Sequence, residues 1–65
     1  MEFQRPPTQE QLNRIIELLL EVGEQKIQYL REKYGIKFSY IPTYEYADKI
    51  IAILENAKSK DISEL

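Results

Sequence analysis

The residues of this chain whose types and spacing suit chemistry lie in its middle, where basic and aromatic side chains alternate. The cations are Lys26, Arg31, Lys33 and Lys37, and the rings are Tyr29, Tyr34, Phe38 and Tyr40. Cations neutralise phosphates and aromatic rings stack on bases, so this segment is a candidate for binding nucleic acid. Other interpretations stay open, because basic residues suit the C-terminal end of a helix, tyrosines line helix cores, and Tyr with Arg is enriched at protein interfaces.

Catalytic chemistry is not expected from this composition. The 65 residues include no Cys and no His, which excludes thiolate nucleophiles, imidazole bases and the usual zinc sites. The two glycines, Gly23 and Gly35, do not form a phosphate-binding loop, and so short a chain has little room for a closed pocket. We therefore predict no enzyme, no cofactor, no metal ion and no small-molecule substrate.

Acidic residues cluster on one face of the first predicted helix. They are Glu10, Glu17, Glu21 and Glu24. Such a cluster can hold Mg²⁺ or Ca²⁺ loosely or meet a basic partner. The favoured interpretation is a solvated helix face on which Arg14 pairs with Glu10 and Glu17.

The formal net charge of −2 averages three segments of different sign. Residues 1–24 have five acidic and two basic residues, a net charge of −3. Residues 25–44 have four basic residues and one acidic residue, which gives +3, and residues 45–65 return to −2. A basic segment between acidic ones indicates a surface for nucleic acid or for an acidic partner.

Helix signals predict an all-α fold that must position these residues. Thr8 and Gln11 form a capping-box pattern at the start of a helical periodicity that continues to a terminating glycine, Gly35. Gly23 interrupts this stretch and leaves two architectures open: one helix through it makes a helical hairpin, whereas a turn makes a three-helix bundle. In the second case the helices span 9–22, 25–34 and 43–58.

The rest of the chain is arranged around these helices. Residues 36–41 alternate apolar and polar side chains, which predicts a short extended link between the last two helices. Pro42 and Thr43 then signal the start of the last helix. The predicted organisation is a flexible N-terminal arm over 1–7, a single helical domain over 8–58 and a polar C-terminal tail over 59–65.

The first helix carries more apolar surface than one neighbouring helix can cover. One stripe contains Leu12, Ile16, Leu19, Leu20, Gly23, Ile27, Leu30 and Tyr34, and a second begins with Ile15, Leu18 and Val22 and continues to Tyr29. A packed helix covers an arc of roughly 100°, so we expect the last helix to leave the second stripe uncovered unless the link or the arm folds over it. The candidate partner-binding residues are Ile15, Leu18, Val22 and Tyr29.

A small accessory or regulatory protein without catalytic activity is the function predicted from this excess. It would dock through the uncovered face on its own copy as a dimer or on a larger protein, which also supports the small core of so short a domain. A cytoplasmic location without membrane contact is expected. The N-terminus has no apolar signal region, and no apolar run is long enough to cross a bilayer.

A second function is suggested by a resemblance over residues 14–41. The run from Arg14 to Gly23 resembles the first helix of many helix-turn-helix DNA-binding domains. Later residues are spaced similarly to the second helix, the glycine turn and the start of the recognition helix of that family. These residues are Ile27, Leu30, Lys33, Tyr34, Gly35, Ile36, Ser39 and Ile41.

The resemblance implies DNA binding by the segment 26–44. The implied major-groove residues are Ser39, Tyr40, Thr43 and Tyr44, and the implied phosphate contacts are Lys33 and Lys37. Two features depart from the family pattern. Pro42 falls in the first turn of the recognition helix, and the acidic segments on either side repel phosphate.

Overall fold

The computed structural model describes residues 5–65, and within that range it consists of three α-helices and one short 3₁₀ turn. The elements are α1 (Gln9–Val22), α2 (Glu24–Tyr34), α3 (Tyr44–Lys58) and the 3₁₀ turn Ile62–Glu64. The predicted all-α class is confirmed, and the chain adopts the three-helix architecture of the two left open. The first four residues of the predicted N-terminal arm lie outside the described range.

Gly23 separates α1 from α2, which excludes the helical hairpin with one continuous helix and leaves the three-helix alternative. Its backbone has φ 92° and ψ 157°, a region that glycine adopts and other residues rarely occupy. Its N–H donates to the carbonyl of Leu19 at 3.2 Å, and its carbonyl accepts from the N–H of Ile27 at 3.1 Å. One residue therefore ends the first helix and begins the second.

Three other helix ends carry the caps that the sequence predicts. The Gln11 N–H donates to Thr8 Oγ1 at 3.1 Å, and the Thr8 N–H donates to Gln11 Oε1 at 3.0 Å, which completes a capping box at α1. Thr43 caps α3, since its hydroxyl oxygen accepts from the N–H of Tyr46 at 3.1 Å. Gly35 ends α2 in the left-handed region with φ 63°.

Residues 35–43 link α2 to α3, and none of them forms a strand within the described chain. Tyr46 holds this link to α3. Its hydroxyl accepts from the Lys37 N–H at 3.2 Å and donates to the Lys37 carbonyl at 3.3 Å. The apolar residues of the link are partly buried against the core, namely Ile36, Phe38 and Ile41.

The core lies mainly between α1 and α3. Its buried residues are Ile15, Leu18, Val22, Leu30, Ala47, Ile50, Leu54 and Ala57. The prediction that the Ile15–Leu18–Val22 face stays uncovered is wrong, because α3 packs on it through a stripe that includes the small residues Ala47 and Ala57. Tyr29, the fourth predicted partner-binding residue, is partly buried against the same core.

The segments that flank the helices are in contact with the helical bundle. The Arg5 carbonyl accepts from the Tyr44 N–H at 2.7 Å, and the Arg5 guanidinium lies 4.3 Å from the centre of the Tyr44 ring. The predicted polar tail, residues 59–65, includes the 3₁₀ turn, and its last residue, Leu65, is partly buried against the core. This short tail therefore returns to the bundle.

Candidate functional site

A row of apolar residues on α1 is exposed to solvent. It belongs to the first of the two stripes recognised in the sequence, whereas the second stripe, Ile15, Leu18 and Val22, was predicted to be exposed. We name this row the exposed stripe and define it as Leu12, Ile16 and Leu20. Side chains four residues apart lie about 40° apart around a helix, so these three form a continuous row. Ile16 is 57% exposed and Leu20 is 81% exposed, whereas Leu12 is partly buried.

The stripe that α3 covers is selected by charges as well as by apolar residues. Arg14 Nη2 lies 3.6 Å from Glu55 Oε2, and Lys58 Nζ lies 2.8 Å from Glu21 Oε2, so two ion pairs of opposite polarity join α1 to α3. Arg14 therefore reaches across to α3, and the expected pairing with Glu10 and Glu17 along α1 is absent from residues 5–65.

The charged residues of the α1–α3 ion pairs mark the buried stripe of α1, a pattern that the apolar periodicity alone does not show. On a helical wheel, Arg14 and Glu21 border the Ile15–Leu18–Val22 stripe. Glu55 and Lys58 offer the complementary charges on the last helix. These pairs of opposite charge favour burial of the Ile15–Leu18–Val22 stripe, which leaves Ile16 and Leu20 for solvent.

The Glu21 carboxylate responds to this arrangement. The hydrogen bond from Lys58 lowers the pKa of Glu21 below its ordinary value of 4.5, and the positive charge of Lys58 adds to the shift. Because both side chains are nearly half exposed, the pair orients α3 on α1 more than it stabilises the fold.

A groove borders the exposed stripe on the side of Leu19. We name it the basic groove, and its lining residues are Leu19, Ile27, Arg31, Lys37, Phe38 and Ser39. Its volume is about 290 Å³. Leu19, Ile27 and Phe38 supply partly buried apolar surface, and Arg31 and Lys37 supply the positive charge. Within residues 5–65, neither cation forms an ion pair with a carboxylate.

On the side of the exposed stripe away from Leu19, the surface of α1 becomes acidic beyond the neutral Asn13. We define the acidic edge as Glu10 and Glu17, which are about two helical turns apart and therefore lie on one side of α1. On a wheel, Glu17 lies beyond Leu20, on the side away from Leu19. Both carboxylates are exposed and form no ion pair with a described residue. The apolar stripe thus has a basic border and an acidic border.

Part of the predicted nucleic-acid-binding set is engaged in holding the fold together. Lys26 Nζ donates to the Ala57 carbonyl at 3.0 Å and so satisfies the C-terminal end of α3. Thr43 is the cap of α3, and Tyr44 is partly buried under Arg5. All three side chains therefore have structural roles within the chain. The sequence predicts only the role of Thr43 as a helix cap.

The other members of that set are exposed. They are Arg31, Lys33, Lys37, Ser39 and Tyr40. Lys33 Nζ lies 5.8 Å from the centre of the Tyr29 ring and 5.6 Å from that of Tyr34. A helix-turn-helix joins its second and third helices by about three or four residues, whereas residues 35–43 separate α2 from α3 here.

No protein family, no characterised protein and no solved structure matches this chain. Among the helices formed by residues 5–65, none combines the length and apolar character needed to cross a bilayer. The features of the described chain that bear on function are the exposed stripe, the basic groove and the acidic edge.

Proposed function

We propose that the chain is a small docking protein, an accessory or regulatory subunit that binds another protein through the exposed stripe of α1. The observation that carries the proposal is the neighbouring pair Ile16 and Leu20, at 57% and 81% exposure on a helix whose opposite face is locked in the core. Single exposed aliphatic residues are ordinary on protein surfaces, but contiguous apolar patches mark interaction sites.

The surroundings of the pair support this function. Leu12 and Leu19 extend the apolar surface at one side, and the basic groove continues it toward Phe38. Full burial of one large aliphatic side chain contributes about 1.5–3 kcal/mol, so Ile16 and Leu20 supply a substantial driving force for association. α1 is capped at Thr8 and packed on α3, so it presents both side chains without a large ordering cost.

A photo-crosslinking residue in place of Leu20 tests the proposal in cells that naturally make the protein. We expect a discrete crosslinked species from position 20 and none from Ala52, an exposed position on α3 that serves as the control. Ile16→Glu, introduced into the same chain, should abolish the adduct because it places a charge in the interface. Equal adducts from positions 20 and 52, or none from either, would refute the function.

A second proposal is nucleic-acid binding by the segment 26–44. The observation that favours it is the exposure of Arg31, Lys33 and Lys37 in the same segment as two exposed rings, Tyr34 and Tyr40, with Lys33 Nζ 5.6 Å from the centre of the Tyr34 ring. Free cations near exposed aromatic rings are typical of single-strand and backbone contacts.

A mobility-shift assay with single-stranded and duplex DNA at about 50 mM salt tests this second function. Lys37→Glu should abolish the shift, and Lys60→Glu, an exposed cation outside the segment, should leave most of it. Log affinity should fall linearly as log salt rises. No shift at micromolar protein rejects the proposal.

A further inference from the structure

We infer that the partner seated on the exposed stripe is a second copy of this chain, in a two-fold dimer whose α1 helices run parallel. The inference rests on the proposed docking function and adds the identity and orientation of the partner. It is carried by the charges on the two borders of the exposed stripe.

The two borders carry opposite charges. A border of one copy is therefore complementary to the other border of a second copy, and not to the same border. The acidic edge carries Glu10 and Glu17, and the basic groove carries Arg31 and Lys37, with no ion pair to these four side chains from residues 5–65. The same division appears in the chain as a whole, since residues 1–24 carry −3 and residues 25–44 carry +3. A second copy therefore offers each border the charge that it lacks.

The symmetry of a dimer decides which borders meet. When two helices face each other across a two-fold axis that runs along them, the left border of one meets the right border of the other. A two-fold axis perpendicular to the helices brings like borders together instead. Only the first arrangement, with parallel α1 helices, joins each acidic edge to a basic groove, and it does so on both sides of the two-fold axis.

The apolar residues fit the same arrangement. Leu20, the most exposed aliphatic residue of the stripe, lies on the side of the acidic edge. In the parallel dimer it faces the partner's basic groove, whose apolar wall is formed by Leu19, Ile27 and Phe38. Ile16 lies at the centre of the stripe and faces its own counterpart. Each protomer thus supplies one projecting side chain and one groove.

Charge reversal with mixing provides the decisive experiment. One variant carries Glu10→Lys and Glu17→Lys, and the other carries Arg31→Glu and Lys37→Glu. In sedimentation equilibrium the natural chain should be a dimer, each variant alone should be a monomer, and an equimolar mixture should restore a dimer. The restoration shows that both variants fold, because unfolded chains do not recover the complex.

The control variant tests whether charge reversal elsewhere on the surface also affects the dimer. Reversal of two exposed charges on α3, Asp48→Lys with Lys49→Glu, should leave the dimer unchanged. A natural chain that stays monomeric at millimolar concentration overturns the inference. A dimer that survives either border reversal, or a mixture that stays monomeric, overturns it as well.

Single cysteines test the parallel orientation, since the natural chain contains no Cys. Gln9 is exposed and lies seven residues before Ile16, so it shares the centre line of the stripe. Gln9→Cys should form an intermolecular disulfide on mild oxidation, because parallel helices bring equal positions together. In an antiparallel pair centred on Ile16, position 9 of one copy lies beside Gly23 of the other, so the two introduced cysteines are far apart. Crosslinking no faster than that of Ala52→Cys overturns the parallel dimer.

Failure of this inference is distinguishable from failure of the docking function. A monomeric chain whose position 20 forms a crosslinked species with an unlike protein in cells overturns the dimer and leaves the docking surface standing. A monomeric chain without any position-20 adduct removes both. A crosslinked species of twice the mass of the chain supports both.

Discussion

The α1–α3 pair and the α2 segment with its link differ in how they are held. Among residues 5–65, every buried core residue except Leu30 belongs to α1 or α3. α2 and residues 35–43 contribute partly buried side chains and are anchored by the hydroxyl of Tyr46 and the ammonium of Lys26. Stability therefore resides in one helix pair, whereas the exposed cations and rings belong to the less buried half of the molecule.

The largest expected effect comes from emptying the α1–α3 interface. Leu18→Ala should destabilise the chain by about 2–5 kcal/mol, since it opens a cavity at a fully buried site. A domain of this length has a total stability of only about 3–10 kcal/mol, so much of the population should unfold. Urea denaturation followed by circular dichroism measures the change.

Leu20→Ala is the matched control for that substitution at the other stripe of α1. Because Leu20 is 81% exposed, its truncation should change the unfolding free energy at dilute protein by no more than about 0.5 kcal/mol. Equal destabilisation by the two variants would contradict the assignment of buried and exposed stripes.

Gly23 joins the two regions, and its substitution is expected to have the next largest effect. Gly23→Ala should lower the unfolding free energy by about 1–3 kcal/mol, because φ 92° with ψ 157° is strained for any residue with a Cβ. No atom lies within 4 Å of the added methyl group, so crowding does not contribute. Unchanged stability with increased helix content would mean that α1 and α2 merge.

Tyr46→Phe should loosen the link and leave the α1–α3 pair intact. The variant loses the two hydrogen bonds between the hydroxyl and Lys37, a local cost of about 1 kcal/mol. Amide hydrogen exchange should accelerate over 36–41, and exchange at buried positions such as Leu54 should be unchanged. Uniform acceleration along the chain would show that the two regions unfold together.

The smallest effect concerns the ion pair that orients α3 on α1. Because the folded pKa of Glu21 lies below 4.5, its contribution to stability is complete above that pH and is lost as pH falls through the folded pKa. Lys58→Gln should return the pKa of Glu21 toward its ordinary value and flatten this acid dependence.

Carboxyl ¹³C chemical shifts against pH measure the pKa of Glu21 directly. Lys60→Gln, at a nearby exposed lysine, is the control and should leave the Glu21 titration unchanged. A Glu21 pKa that is the same in the natural chain and in the Lys58→Gln variant would contradict the ion pair.

Local signals predicted most of the fold. The caps at Thr8 and Thr43 and the terminating Gly35 act through neighbours in the chain, so their residue types specify the helix ends. Gly23 left two architectures open, since glycine is tolerated inside a helix at modest cost and is also favoured where a helix ends. Its backbone conformation in the structure selects the three-helix form.

The candidate site was predicted less well, because it depends on which apolar stripe α3 chooses. Periodicity recognised both stripes of α1 but assigned Ile15, Leu18 and Val22 to solvent, whereas they are buried. The cations Arg31 and Lys37 were recognised by type, yet their place beside Leu19 and Phe38 depends on the path of the link.

Local sequence patterns were enough to predict that this protein is helical, that its helices begin and end near the observed residues, and that α1 has more apolar surface than one helix covers. These properties depend on residues within a few positions of one another. The packing of α3 on the Ile15 stripe, which leaves Ile16 and Leu20 exposed between an acidic edge and a basic groove, became visible in the three-dimensional fold. The choice of the buried stripe depends on the packing and charge pairing of residues distant in the chain, such as Arg14 with Glu55 and Glu21 with Lys58.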